Sequence, residues 1–280
     1  VFVMLMSFIP DLKSLIYADT VDSVKYLDWD DTQKKLIEKD TKDTSITCEV
    51  LNDAENLNLV NGGWYVVNNN VTISNRITLD TNGTAHLILC DGFTFTASKG
   101  ITVEEGQTLN IYAQAVNSGK LLIENVDDRN AGIGGIAVDN NGSNGGTVII
   151  NGGVITTNGG ATASGIGGGG AGSAAGSVSG KGGTVIINGG IVTAIGKAGG
   201  SGIGGSTDGA GGSVTINGGT VIANGSNSLV FPGEAIGRGA KGNKTIDSGT
   251  LILGTNIKLY GSDSENPPTT LITTGPSDNV

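Results

Sequence analysis

Short runs of β-branched residues in the middle of this chain alternate apolar with small or polar positions, and glycine pairs separate the runs. One phrase recurs: GGTVIINGGVITTNGG from Gly145, GGTVIINGGIVTAIGK from Gly182 and GGSVTINGGTVIANGS from Gly211. Each copy holds two runs around an Asn-Gly-Gly corner. Val, Ile and Thr suit a pleated surface, whereas Asn and Gly reach positive φ cheaply, so each phrase predicts strand, tight turn, strand. With the corners Asn151, Asn188 and Asn217 aligned, Val148/Val185/Val214 and Ile150/Ile187/Ile216 stay apolar before the corner. Ile155/Val192/Val221 stay apolar after it, and Thr157/Ala194/Ala223 stay small. That is period-two alternation with one buried face.

A third element falls between the phrases. It reads Ala131-Gly-Ile-Gly, Ser164-Gly-Ile-Gly, Ser201-Gly-Ile-Gly and Ala235-Ile-Gly. The same columns continue upstream with less glycine. Val71-Thr-Ile, Phe93-Thr-Phe-Thr and Lys120-Leu-Leu-Ile precede Val154; Ile77-Thr-Leu and Ile101-Thr-Val precede Ile133; Leu87-Ile-Leu and Leu109-Asn-Ile-Tyr precede Val148. Downstream, Lys244-Thr-Ile-Asp reads as a last, degraded phrase with Asp247 at the Asn position. No single phrase can bury an apolar face alone, so the copies must stack. The prediction is an all-β fold: a single-stranded, three-sided parallel β-helix of about six to seven coils, right-handed by the crossover rule. An antiparallel sandwich of the same strands would not need three columns kept in step.

Flanking composition sets the domain boundaries. Residues 1–18 begin with an apolar run ending at Pro10, too short to span a bilayer, and read as a secretory signal core with its start clipped. Residues 19–61 are charged and free of glycine, and predict an N-terminal cap of two strands around a hairpin or short helix, with Trp29 and Trp64 as seals. Residues 62–261 form the helix body, and 262–280, rich in Ser, Thr and Pro, read as a linker to further domains.

The chain of 280 residues carries 49 glycines, only 15% charged residues and a formal net charge of −10. This acidic balance excludes nucleic acid as a natural partner and disfavours anionic membranes. No membrane insertion is expected once the signal is removed, and a monomer is expected. Cys48 and Cys90 define no disulfide framework.

Loops cluster at the corners: residues 136–144, 169–181 and 206–210 after the Gly-Ile-Gly side, and 226–234 before it. In solenoids such a loop-bearing edge is the usual binding face. Arg129, Asn140, Asn141 and Phe231 are the ligand-edge candidates. Asp127, Asp128, Asp139 and Asp208 offer hard oxygen ligands suited to calcium, although their spacing matches neither an EF-hand nor a nonapeptide calcium repeat. Asn151, Asn188, Asn217 and Asp247 predict a structural ladder of paired corner side chains. The only constellation that can be assembled is Arg129 following Asp127-Asp128, with Arg76 and Arg238 near the same Gly-Ile-Gly corner, and no catalytic residue is assigned. The single histidine, His86, has no nucleophile partner, and no outward strand carries a carboxylate pair.

The phrases Gly-Gly-Thr-Val-Ile-Ile-Asn-Gly-Gly and Gly-Ile-Gly-Gly, with Gly63-Trp-Tyr-Val-Val and Val71-Thr-Ile-Ser-Asn-Arg-Ile-Thr-Leu, resemble a family of exported glycine-rich β-helix surface proteins of Gram-positive bacteria. These are described as carbohydrate-binding-domain or adhesin-like proteins. The resemblance spans residues 24–261 and implies a pectate-lyase-like fold, surface display and a multidomain context. Relatives that bind polysaccharide and calcium carry Asp-Asp-Gly-Ile repeats where this chain reads Gly-Ile-Gly. No catalytic residue carries over. The expected function is therefore a secreted or cell-surface, non-enzymatic module, adhesin or stalk, with weak glycan binding along the loop edge and no cofactor. The alternative is calcium-assisted binding, or lyase cleavage, of an acidic polysaccharide.

Overall fold

The structure, a computed structural model, describes residues 19–124, 126–226, 232–240, 249–254, 257–262 and 271–273. The signal segment 1–18, Phe231 and Asp247 lie outside the described residues. The fold is all-β, with one 3-10 turn at Thr41–Thr44 and no α-helix among the described residues.

Three sheets, mainly parallel, carry the chain. The first has nine strands, the second eight and the third five. Successive passes visit them in a fixed order. Thr147–Ile150 belongs to the first sheet, Val154–Asn158 to the second and Ile166–Gly167 to the third; Thr184–Ile187, Ile191–Ile195 and Ile203–Gly204 then repeat the tour. Equivalent positions pair directly: Val148↔Val185↔Val214, Ile155↔Val192↔Val221 and Ile133↔Ile166↔Ile203. These side chains are buried and join one hydrophobic cluster drawn from all three sheets. Along the second sheet the inward column reads Val71, Phe95, Leu121, Ile155, Val192 and Val221, so bulk rises and then falls toward the glycine-rich copies.

Three details depart from the sequence reading. First, Thr250–Leu253 pairs with Ser213–Ile216, which sets Leu251 beside Val214. Gly249, at φ 85, supplies the turn before it. The position after Ile216, held by Asn217, is thus matched by Gly254. Second, Leu271–Thr273, inside the expected linker, pairs antiparallel with Ile257–Ser262 at the edge of the second sheet. Its Leu-Ile-Thr composition is strand-forming despite the polar surroundings.

Third, the N-terminal segment does more than border a sheet end. Thr20–Val21 and Cys48–Val50 lie at the edge of the first sheet. Between them, Lys25–Asp30 and Lys35–Asp40 form an antiparallel hairpin. That hairpin packs on the outer face of the first sheet, where Val24, Tyr26, Cys48, Val66, Ile88, Cys90 and Tyr112 make a second apolar cluster. Tyr26 meets Trp64 and Tyr112 edge-on at 5.3 and 5.0 Å. Trp64 stacks flat on His86 at 4.1 Å. An outer face bearing Trp, Ile and Tyr needs a cover, and the hairpin supplies it. Both thiols are free, and burial pushes them up to about 11.

Candidate functional site

Glycine determines where the surface is concave. At the corner leading into the first sheet, Gly145-Gly146, Gly182-Gly183 and Gly211-Gly212 stack so closely that a Cβ on Gly183 would meet the Gly146 carbonyl at 1.9 Å. A Cβ on Gly212 would meet the Gly183 carbonyl at 2.0 Å. With no side chains in the way, the stacked main chain forms the floor of a shallow polar groove of 390 Å³. Its walls carry Thr147, Thr184 and Ser213, which pair in register on adjacent strands, so their hydroxyls recur at the inter-strand spacing. Glu105, Asn144 and Lys181 close one side. Asn144 Nδ2 donates to Glu105 Oε2 at 2.9 Å, and its Oδ1 accepts from the Lys181 amide at 3.0 Å. Groove and loop edge are continuous, because Asn144 and Lys181 end the loops 136–144 and 169–181. Chemically this surface offers hydroxyls, main-chain groups, one amine and one carboxylate. It suits a polyhydroxyl ligand held by shallow hydrogen bonds.

The predicted edge residues lie farther along the loops. Asp127 Oδ2 is 2.6 Å from Lys99 Nζ. Arg129 lies 3.8 Å from Asp128 Oδ1 and donates to the Asp139 carbonyl at 2.8 Å. The Asn140 carbonyl accepts from Gly172, and Asn141 Oδ1 accepts from the Val178 amide, so both bind loop 169–181 to loop 136–144. Asp208 sits in a separate loop, its amide donating to Ala240 at 2.7 Å. Asp128, Asp139 and Asp208 all adopt left-handed backbone at φ 52, 54 and 60, which identifies them as turn-formers. Among the described residues, no three His, Cys, Asp or Glu side chains gather where one ion could be held.

Two polar assemblies stand apart from the groove. Asn188 Nδ2 donates to Asn151 Oδ1 at 2.6 Å, and Asn217 Nδ2 to Asn188 Oδ1 at 2.7 Å. The first amide of this series, Asn151, donates to Asp28 Oδ1 of the hairpin at 3.1 Å. Arg76 closes the start of the third sheet. Its guanidinium donates to the carbonyls of Lys99, Ile101, Ala131 and Gly134 and to Thr102 Oγ1, at 2.9 to 3.3 Å. Burial draws its pKa down to about 10. Burial likewise lowers the His86 pKa, and His86 Nδ1 lies 3.0 Å from the Tyr112 hydroxyl. That ring serves the outer cluster.

Sequence reasoning named neither the groove nor Asp28. A groove floored by backbone has no side-chain signature beyond the glycine pairs, and those signal packing as readily as a site. Asp28 lies in a segment without periodicity. Comparison with known families, curated proteins and solved structures finds no match to this chain.

Proposed function

We propose that the three sheets close into a right-handed, three-sided parallel β-helix, and that this body is a secreted or cell-surface, non-enzymatic module of adhesin or stalk type. The fixed order in which the chain visits the sheets, and the shared hydrophobic cluster, support the closed solenoid. The groove of Thr147, Thr184 and Ser213, with Lys181 and Glu105 at its side, is the observation that carries the binding reading. Its ligand is a neutral glycan chain laid along the stacked corners. Shallowness and the absence of an aromatic platform make the affinity weak, so useful attachment comes from many copies on one surface.

A glycan array displaying neutral and uronic acid polymers, read with and without chelator, tests this. Chelator-insensitive binding of neutral glycans that falls several-fold in Thr184→Val and Lys181→Ala is expected. Chelator-sensitive binding of uronic polymers would move the activity to a cation at the acidic loops. Silence across the array would leave a spacer.

A further inference from the structure

The hairpin sets one carboxylate between an amine and an amide that are far apart in sequence. Lys39 Nζ is 2.6 Å from Asp28 Oδ2. Asn151 Nδ2 donates to the other oxygen, Oδ1, at 3.1 Å. On the opposite side of that amide, Asn188 Nδ2 donates to Asn151 Oδ1 at 2.6 Å. Asn151 is only 2% exposed, whereas Lys39 and Asp28 lie at the rim of the covered face. Each part of the Asn151 carboxamide is thus engaged in the sense that assists acyl transfer. A donor polarises its oxygen, its nitrogen faces a group able to deliver a proton, and that same group holds a nucleophile.

We propose that Lys39 and Asn151 join in an intramolecular isopeptide bond, with Asp28 as the proton carrier. Asp28 takes a proton from the Lys39 ammonium, and the neutral Nζ attacks Asn151 Cγ. Charge developing on Oδ1 is met by the Asn188 N–H. Asp28 returns its proton to Nδ2, the Cγ–Nδ2 bond breaks and ammonia leaves. The proton shed by Nζ passes back through Asp28 to the ammonia. One Lys ammonium and one Asn carboxamide become one secondary amide and one ammonium ion, with no oxidant or cofactor required. The product keeps the surrounding bonds, because the new amide retains an N–H for Asp28 and an oxygen for Asn188. The ion pair with Asp28 favours the charged amine, so the reactive neutral pair is scarce and the step is slow. Reaction need occur only once per molecule.

The full chain is purified and its intact mass and tryptic map are recorded. The expected protein is lighter by one ammonia and yields a branched peptide joining residues 39 and 151. Lys39→Arg and Asp28→Asn are expected to lose that peptide. Separate, unmodified peptides bearing Lys39 and Asn151 in the wild type would overturn the proposal. So would an ammonia loss that persists in Lys39→Arg, since a succinimide at Asn151-Gly152 sheds the same mass and leaves Lys39 open to trypsin. Survival of the branched peptide in Asp28→Asn would remove Asp28 from the chemistry. The wild-type map decides the cross-link even where a variant fails to fold.

Discussion

The strands before Ile123 and the glycine-rich copies after Gly145 follow one three-sheet plan with different materials. The early region fills space with large side chains: Phe95, Leu87, Leu109 and Ile111 inside, and Trp64, His86 and Tyr112 stacked outside under the hairpin. In the later region β-branched Val and Ile and small Ala take the inward places, and the backbones close the gap. A Cβ on Gly134 or Gly167 would meet the next carbonyl at 2.1 Å, and one on Gly204 at 1.9 Å. Where the early region ends its third sheet with the Arg76 guanidinium, the later one simply adds another Gly-Ile-Gly strand. Bulk makes each strand individual, whereas glycine makes strands interchangeable.

Substitutions can break this contrast. Phe95→Ala should have the largest effect, about 3–5 kcal/mol of lost stability by urea unfolding, because the site is fully buried. A loss below about 1 kcal/mol would mean the early core is not held by bulk. Gly167→Ala, at φ 135 and against the Gly204 carbonyl, should cost about 3 kcal/mol. Hydrogen exchange should place its damage in the later copies. Asn188→Ala strips a partner from both Asn151 and Asn217 and should cost about 2 kcal/mol, sharpening the role of the amide ladder. Gly176→Ala is the control: its φ is also positive, at 86, but nothing lies within 4 Å, so about 1 kcal/mol is expected. Equal effects at Gly167 and Gly176 would show that close backbone approach contributes nothing.

The parallel columns were legible because the glycine phrases repeat around a fixed corner, and period-two alternation then names the inward residues. Val148, Val185 and Val214 follow directly from that alignment. Upstream the corner is lost and so is the register. Leu87 lies opposite Ile111, while Leu109 lies opposite Ala85, an offset that composition does not encode. The hairpin resisted prediction for another reason. Each of its faces mixes charge with an aromatic ring, Tyr26 beside Asp28 and Lys39 on one and Trp29 beside Lys25 and Glu38 on the other, which describes a cap as well as it describes a cover. Only the position of Tyr26 against Trp64 and Tyr112 distinguishes the two. At the last phrase Lys244-Thr-Ile-Asp repeats the motif in composition, while the strand that continues the first sheet is Thr250–Leu253, in register with Ser213–Ile216.

The corner amides all point their N–H groups the same way, back toward the hairpin, where the Asp28 carboxylate accepts the last of them. The row therefore has a defined beginning. Gene duplication could splice in another unit between Asn151 and Asn217, since an incoming amide would find a donor on one neighbour and an acceptor on the other. Placed before Asn151, the same unit would have to displace Asp28. Evolution can lengthen this molecule from within its glycine-rich part while the hairpin keeps its seat.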